Sequence, residues 1–228
     1  MGALRGSIGT SRFYVAPASG SDEAGTGKSS RMRIGVDLPE GFPAAAMKRI
    51  RANVFEPLSP DDDANDGHGW CSMLDPMDLE LDHEKVFFNE YVCLGLRIDR
   101  WFVPKPLLEA QLREAEASLL AKKGLDKLGK VARADLKLMV LKKLRRQLVP
   151  VTKSIDLVWS LDSHVVHFFS QSPKMHLLAQ ELFEKTLRYR LVPEAPGTAA
   201  ERRGLSAEER KLFDSLEQTT LAREEDAR

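Results

Sequence analysis

The chain has 228 residues, enough for one large or two small domains, and its 43% hydrophobic and 30% charged residues are ordinary for a globular protein. Its formal net charge is zero, so overall electrostatics select no partner. Two cysteines, no apolar leader core, Gly6 where a myristoylation signal needs Ser or Thr, and no apolar run near the roughly 20 residues of a membrane span set aside a disulfide framework, secretion and membrane insertion; the expectation is a soluble, cytoplasmic protein.

In chain order, "SIGTSRFYVA" (7–16) alternates and is rich in β-formers, which predicts a strand. A Gly/Ser-rich loop at 17–30, expected to be flexible, leads to "RMRIGVDL" (31–38), a second candidate strand. "PAAAMKRIRANVF" (43–55) opens with Pro at a first helical position and carries Met47, Ile50 and Val54 at helical spacing. An acidic loop at 56–68 precedes "WCSML". "KVFFNEYVCLGLRIDRWFV" (85–103) is nearly continuous in β-formers and predicts one or two buried strands. Pro104 and Pro106 start a helix at 106–124 that Gly124 stops, and a second helix at 131–148 ends before Pro150. Residues 153–170 read as a hairpin turning at "LDS", Ser172-Pro173 opens a helix, and "YRLVP" (189–193) is a last strand. In the tail, Ser206 and Glu209 have capping-box spacing before Leu212, Phe213 and Leu216.

The fold class that follows is α+β, an antiparallel sheet core with a projecting basic helical pair and a C-terminal β-β-α-β unit. Four regions result: 1–103, holding the flexible and acidic loops; the helical pair at 104–150; the β-β-α-β unit at 151–194; and a charged tail with a short helix at 195–228.

Motifs for chemistry are incomplete. "GTGKS" (25–29) lacks the first glycine of a phosphate-binding loop, because Asp22 stands there and would repel phosphate. His164 and His167 sit at an odd separation that sends them to opposite faces of a regular strand. His68, Cys71, His83 and Cys93 are metal-ligand types at a spacing that fits no metal pattern. Asp61, Asp62, Asp63 and Asp66 lack the Gly and Glu of a calcium loop, and no nucleophile elbow is present. A non-enzymatic protein without cofactor or metal is expected.

Charge distribution is more informative. From Lys122 to Lys153 there are eleven Lys/Arg against Asp126 and Asp135, whereas from Glu56 to Glu90 eleven Asp/Glu face only Lys85. In the helix at 131–148, Leu136, Val140, Leu141, Leu144 and Leu148 share an arc of roughly 140°. Lys142, Lys143, Arg145 and Arg146 lie opposite, and Lys137 has to snorkel out of the apolar arc. Asp135 is the only carboxylate in that helix, so the face lacks local neutralisation. With Lys122, Lys123, Lys127, Lys130, Arg133 and Lys153 on its flanks, this surface suits a phosphate backbone read without sequence preference. A protein-interaction module whose basic helix meets an acidic partner is the alternative, as is pairing with the chain's own 56–90 segment.

The order of segments resembles the bacterial recombination-associated protein RdgC family. The likeness rests on "VFEPL" (54–58) leading to Gly69-Trp70, then "LGLRIDRWFVPKPLLEAQL" (94–112), then the basic "LKKLRR" (141–146). It ends in "DLVWSLDSHVVHFFSQSPKMHLLAQELFEKTLRYRLVPE" (156–194) and spans roughly residues 43–194 as a pattern of segments. The resemblance implies a nucleoid-associated, non-enzymatic binder of double-stranded DNA with little sequence preference. It also implies a homodimer whose positively lined hole accommodates duplex DNA, and a functional link to a RecA-type recombinase whose access to DNA it limits. By segment, the basic helix and its approach would line the DNA side.

Overall fold

Two ten-residue strands rich in Val, Ile, Leu and Trp organise the molecule: β4 (Tyr91–Arg100) and β5 (Val151–Ser160) pair along their whole length, from Tyr91 opposite Ser160 to Arg100 opposite Val151. The computed structural model describes residues 9–18, 35–124 and 126–216. Around this pair come β1 (Ser11–Pro17), β2 (Asp66–Cys71), β3 (Phe87–Phe88), β6 (Val165–Phe168) and β7 (Tyr189–Pro193). They form one seven-stranded sheet in the order β2-β4-β5-β6-β1-β7, with β3 beside β4 on the same side as β2, and every ladder is antiparallel. The 1–103 and 151–194 regions therefore share a single sheet.

The side-chain period of two divides the sheet into unlike faces. One face sends Val92, Leu94, Leu96, Leu157 and Trp159 into the main core, where α1 (Phe42–Arg51) and α5 (Pro173–Leu187) cover them. Trp159 is packed edge-on by Phe42 and Phe183, with ring centroids 5.4 and 5.5 Å away. The other face carries Cys93, Gly95, Arg97 and Asp99. Arg97 donates to both carboxylate oxygens of Asp99 (2.9 and 2.7 Å) and to the Pro76 carbonyl, and its guanidinium lies 4.4 Å from the Phe55 ring centroid. At the other end of this face, α6 (Pro196–Arg203) covers Tyr14, with Arg202 over the phenol ring.

The α+β class and the antiparallel sheet stand as expected. Local departures have physical reasons. Of the candidate strand at 31–38, residues 31–34 lie outside the described residues and 35–38 form no strand; Gly35 donates to the Val15 carbonyl and Val36 drops into the core. The first helix ends at Arg51 because Val54 and its neighbours bond the edge of β2 instead. Asp66 to His68 leave the acidic loop and join β2. Lys85 and Val86 close a short helical turn, α2 (His83–Val86), capped by Asp82, before β3. The tail holds an additional helix, α6, whose sequence offers little apolar periodicity. The expected capping box does open α7 (Ala207–Asp214). The Gly/Ser loop from 19 onward, including "GTGKS", lies outside the described residues.

Candidate nucleic-acid interface

The helical pair consists of α3 (Lys105–Lys123) and α4 (Lys130–Arg145). Gly124 ends α3 in the left-handed region (φ 59°), where its N–H donates to the Leu120 carbonyl and a glycine carries no steric cost. α3 buries no residue fully and packs chiefly on α4. α4 buries Leu136, Val140 and Leu144, one residue per turn, as its pattern predicts. It stops before Pro150: the residue ahead of a proline avoids the helical region, and residues 147 and 148 close with tighter three-residue hydrogen bonds.

The basic end of α4 is not bare. Lys142 pairs with Asp63 at 3.1 Å and Arg146 with Asp61 at 2.6 Å. Arg145, expected on the outer face, is buried at 8% exposure. It donates to the Asp62 carbonyl (2.7 Å) and to Asn65 (3.4 Å), with its guanidinium 6.0 Å from the Trp101 ring centroid. Neutralisation absent within the helix comes from a loop some eighty residues earlier in the chain. Lys143 stays exposed with no carboxylate partner among the described residues.

The other cations fall into three groups. Lys122, Lys123 and Lys127 stand exposed at the tip of the pair, with no ion-pair partner among the described residues. Lys130 and Lys137 line a furrow of about 620 Å³ between the helices, opposite Lys105, Leu108 and Leu112. Lys137 is exposed there, which fulfils the snorkelling its position demands. Arg133, in the same furrow, is held by Glu116, and Lys105 lies 3.8 Å from Glu109. Lys137 and Lys142 are five residues apart, about 140° around the helix, so the furrow and the acidic-loop contact occupy different sides of α4.

Lys153 stands apart at the root of the pair, exposed on the helix-covered face of β5 beside the first turn of α5. There it shares a groove of about 420 Å³ with Arg100, Lys174 and the exposed ring of Phe102. Sequence inspection passed over Lys105, Arg100 and Lys174, because each is a single cation outside any run.

The remaining candidates do not converge. His68 and Cys71 lie on opposite faces of β2, and no group of three or more metal-ligating side chains occurs among the described residues. Both cysteines are free and buried, and burial pushes each thiol up to about 11, which leaves them protonated and unreactive. His164 takes a left-handed conformation (φ 54°) in the turn before β6 rather than joining the strand with His167. No described helix is long and apolar enough to cross a membrane. No protein-family model matches the chain, and no curated protein matches it.

Proposed function

We propose that this is a non-enzymatic, sequence-independent duplex DNA-binding protein, as the segment resemblance to the RdgC family implies. The observation that carries the reading is the set of exposed lysines at the tip and in the furrow of the helical pair that have no ion-pair partner among the described residues: Lys122, Lys123, Lys127, Lys130 and Lys137. Keeping like charges together on a thin two-helix arm is unfavourable unless a polyanion meets them. In this reading the tip and furrow make the first contact, and Lys142 and Arg146 of "LKKLRR" add to it only where phosphate displaces the Asp61–Asp63 loop. The protein acts at the nucleoid and limits a RecA-type recombinase by occupying its substrate, and a homodimer multiplies the phosphate contacts of each arm.

The test is retention of random duplex DNA across a salt series. Affinity should fall steeply, by about 0.9 logarithmic units per logarithmic unit of salt for each phosphate contacted. Changing Lys122, Lys123 and Lys127 to Glu should abolish retention without lowering the melting temperature, since these side chains bury nothing. Unaltered retention by that variant would overturn the reading.

A second reading has its own observation. Lys142 and Arg146 already meet an acidic segment, their own Asp61–Asp63 loop. An acidic protein partner would use the same chemistry at the same face, and a shallow salt dependence would favour it.

A further inference from the structure

The groove at the root of the helical pair has the composition of a platform for an unpaired base. The helix-covered face of β4 and β5 is fully buried as far as Leu96 and Ile155, and beyond them Ile98 is only partly buried and Lys153 is exposed. Past that point Ile98 and Val151 from the strands, and Met175 and Leu178 from α5, line an open concavity of about 420 Å³. Phe102 closes it with a ring that is 65% exposed, and Val151 is 58% exposed. An aromatic and aliphatic surface this open is rarely left to water. Arg100, Lys153 and Lys174 surround it, against one carboxylate, Asp66.

The choice of occupant follows from what adjoins the groove. Lys105, in the furrow of the helical pair, stands three residues from Phe102, at most about 11 Å of chain. Furrow and groove are thus close neighbours at the start of α3: Lys105, Lys130 and Lys137, with Glu109, line the first, and Arg100, Lys153 and Lys174 ring the second beside Phe102. Cations repeated along a path and interrupted by an aromatic face match a phosphodiester strand whose bases stack while its backbone is neutralised. An acidic peptide with an apolar anchor would need the groove alone and would leave the furrow unused. We propose that the groove accepts an unpaired nucleobase stacked on Phe102, with the flanking phosphates held by Lys153, Lys174 and Arg100. The protein therefore favours DNA with a single-stranded portion, such as a gap or a frayed junction. This rests on the DNA-binding reading and adds a base-dependent component that duplex binding lacks.

Fluorescence anisotropy of the full chain on three labelled probes tests it: an oligothymidylate, an abasic deoxyribose-phosphate strand of the same length and charge, and a duplex of that length. The oligothymidylate should bind about tenfold or more tightly than the abasic strand, the scale of one or two stacked bases. Phe102→Ala removes an exposed ring without opening the core; it should erase that difference while leaving abasic and duplex binding unchanged. Lys153→Gln with Lys174→Gln should weaken both single strands alike. Equal binding of the two single strands, or a difference that survives Phe102→Ala, overturns the proposal while duplex binding keeps the wider reading intact. If no probe binds, both fall together. Displacement of oligothymidylate by an equally charged acidic peptide that binds more tightly through Phe102 would assign the groove to a protein partner instead.

Discussion

Gly69 and Trp70 show how much one residue can fix. The segment from Asn53 to Phe55 runs against β2, with Trp70 donating to the Asn53 carbonyl at 3.0 Å and Phe55 to the Trp70 carbonyl at 2.8 Å. A Cβ on Gly69 would stand 2.5 Å from the Phe55 Cα and 2.6 Å from its nitrogen, so only glycine admits this crossing. The Trp70 indole, on the opposite face, donates to Thr186 Oγ1 at 2.9 Å and ties the edge strand to α5. Gly69→Ala should destabilise the protein by at least the roughly 1–3 kcal/mol of an overpacked site, seen as a fall of several degrees in melting temperature. An unchanged melting curve would refute the tight crossing. The Gly-Trp pair is visible in the sequence, but the backbone that presses on it is not.

Histidine makes a second prediction at this scale. Burial lowers the pKa of both His164 and His167, and the nearby Arg202 and Arg12 guanidinium groups lower them further. The unfolded chain takes up these protons near the ordinary histidine value of about 6.5, whereas the folded protein takes them up only at lower pH. Their contribution to stability is therefore complete above the ordinary value and is lost as pH falls through the depressed folded values. Melting temperature should drop on acidification through this window. His164→Asn, which tolerates the left-handed backbone, together with His167→Gln should flatten the dependence.

Among elements, α4 and the acidic loop are the informative pair. The ion pairs of Lys142 and Arg146 are exposed, and exposed pairs contribute about 0–1 kcal/mol each, so phosphate can displace the loop cheaply. Asp61→Asn with Asp63→Asn should raise DNA affinity severalfold and steepen its salt dependence, with little change in stability. A fall in affinity would mean that the loop helps hold DNA rather than competing for α4. The strands at 91–100 and 151–160, the Gly124 stop and the Ser172-Pro173 start were legible, because each is written in adjacent residues. α6 was not, since "PGTAAERRG" has a start and a stop but no apolar stripe. The loop–helix pairing was also hidden: partners more than eighty positions apart leave no local pattern, and the same cluster that reads as free charge in the sequence is partly satisfied in space. The candidate site was thus legible as a basic helical pair, but not as to which of its lysines remain available.

For the whole molecule, the surface of the helical pair bears on assembly. Val131, Leu138 and Met139 are exposed along one side of α4 at 76%, 54% and 60%, more apolar surface than a solvated arm needs. At the outer end of the pair, where Leu119, Leu120, Leu125 and Leu128 make the sequence more apolar than a solvated tip needs, Leu119, Leu120 and Leu128 are half-buried, and Leu125 lies outside the described residues. Light scattering at micromolar concentration should give about twice the chain mass, and Leu138→Glu with Met139→Glu should return the protein to a monomer. A wild-type monomer, with or without DNA, would remove the dimer.

The position of β1 has a consequence for biosynthesis. This strand, the first of those described, lies between β6 and β7, the last two described strands to be made. While the ribosome works, the first strand has neither neighbour. At roughly 5–20 residues per second it waits on the order of ten seconds for them. The sheet is complete only after residues 11–193 have all emerged, so until then Phe13 and Val15 depend on whatever else shields them, and β1 is the strand that closes the sheet last despite being made first among those described.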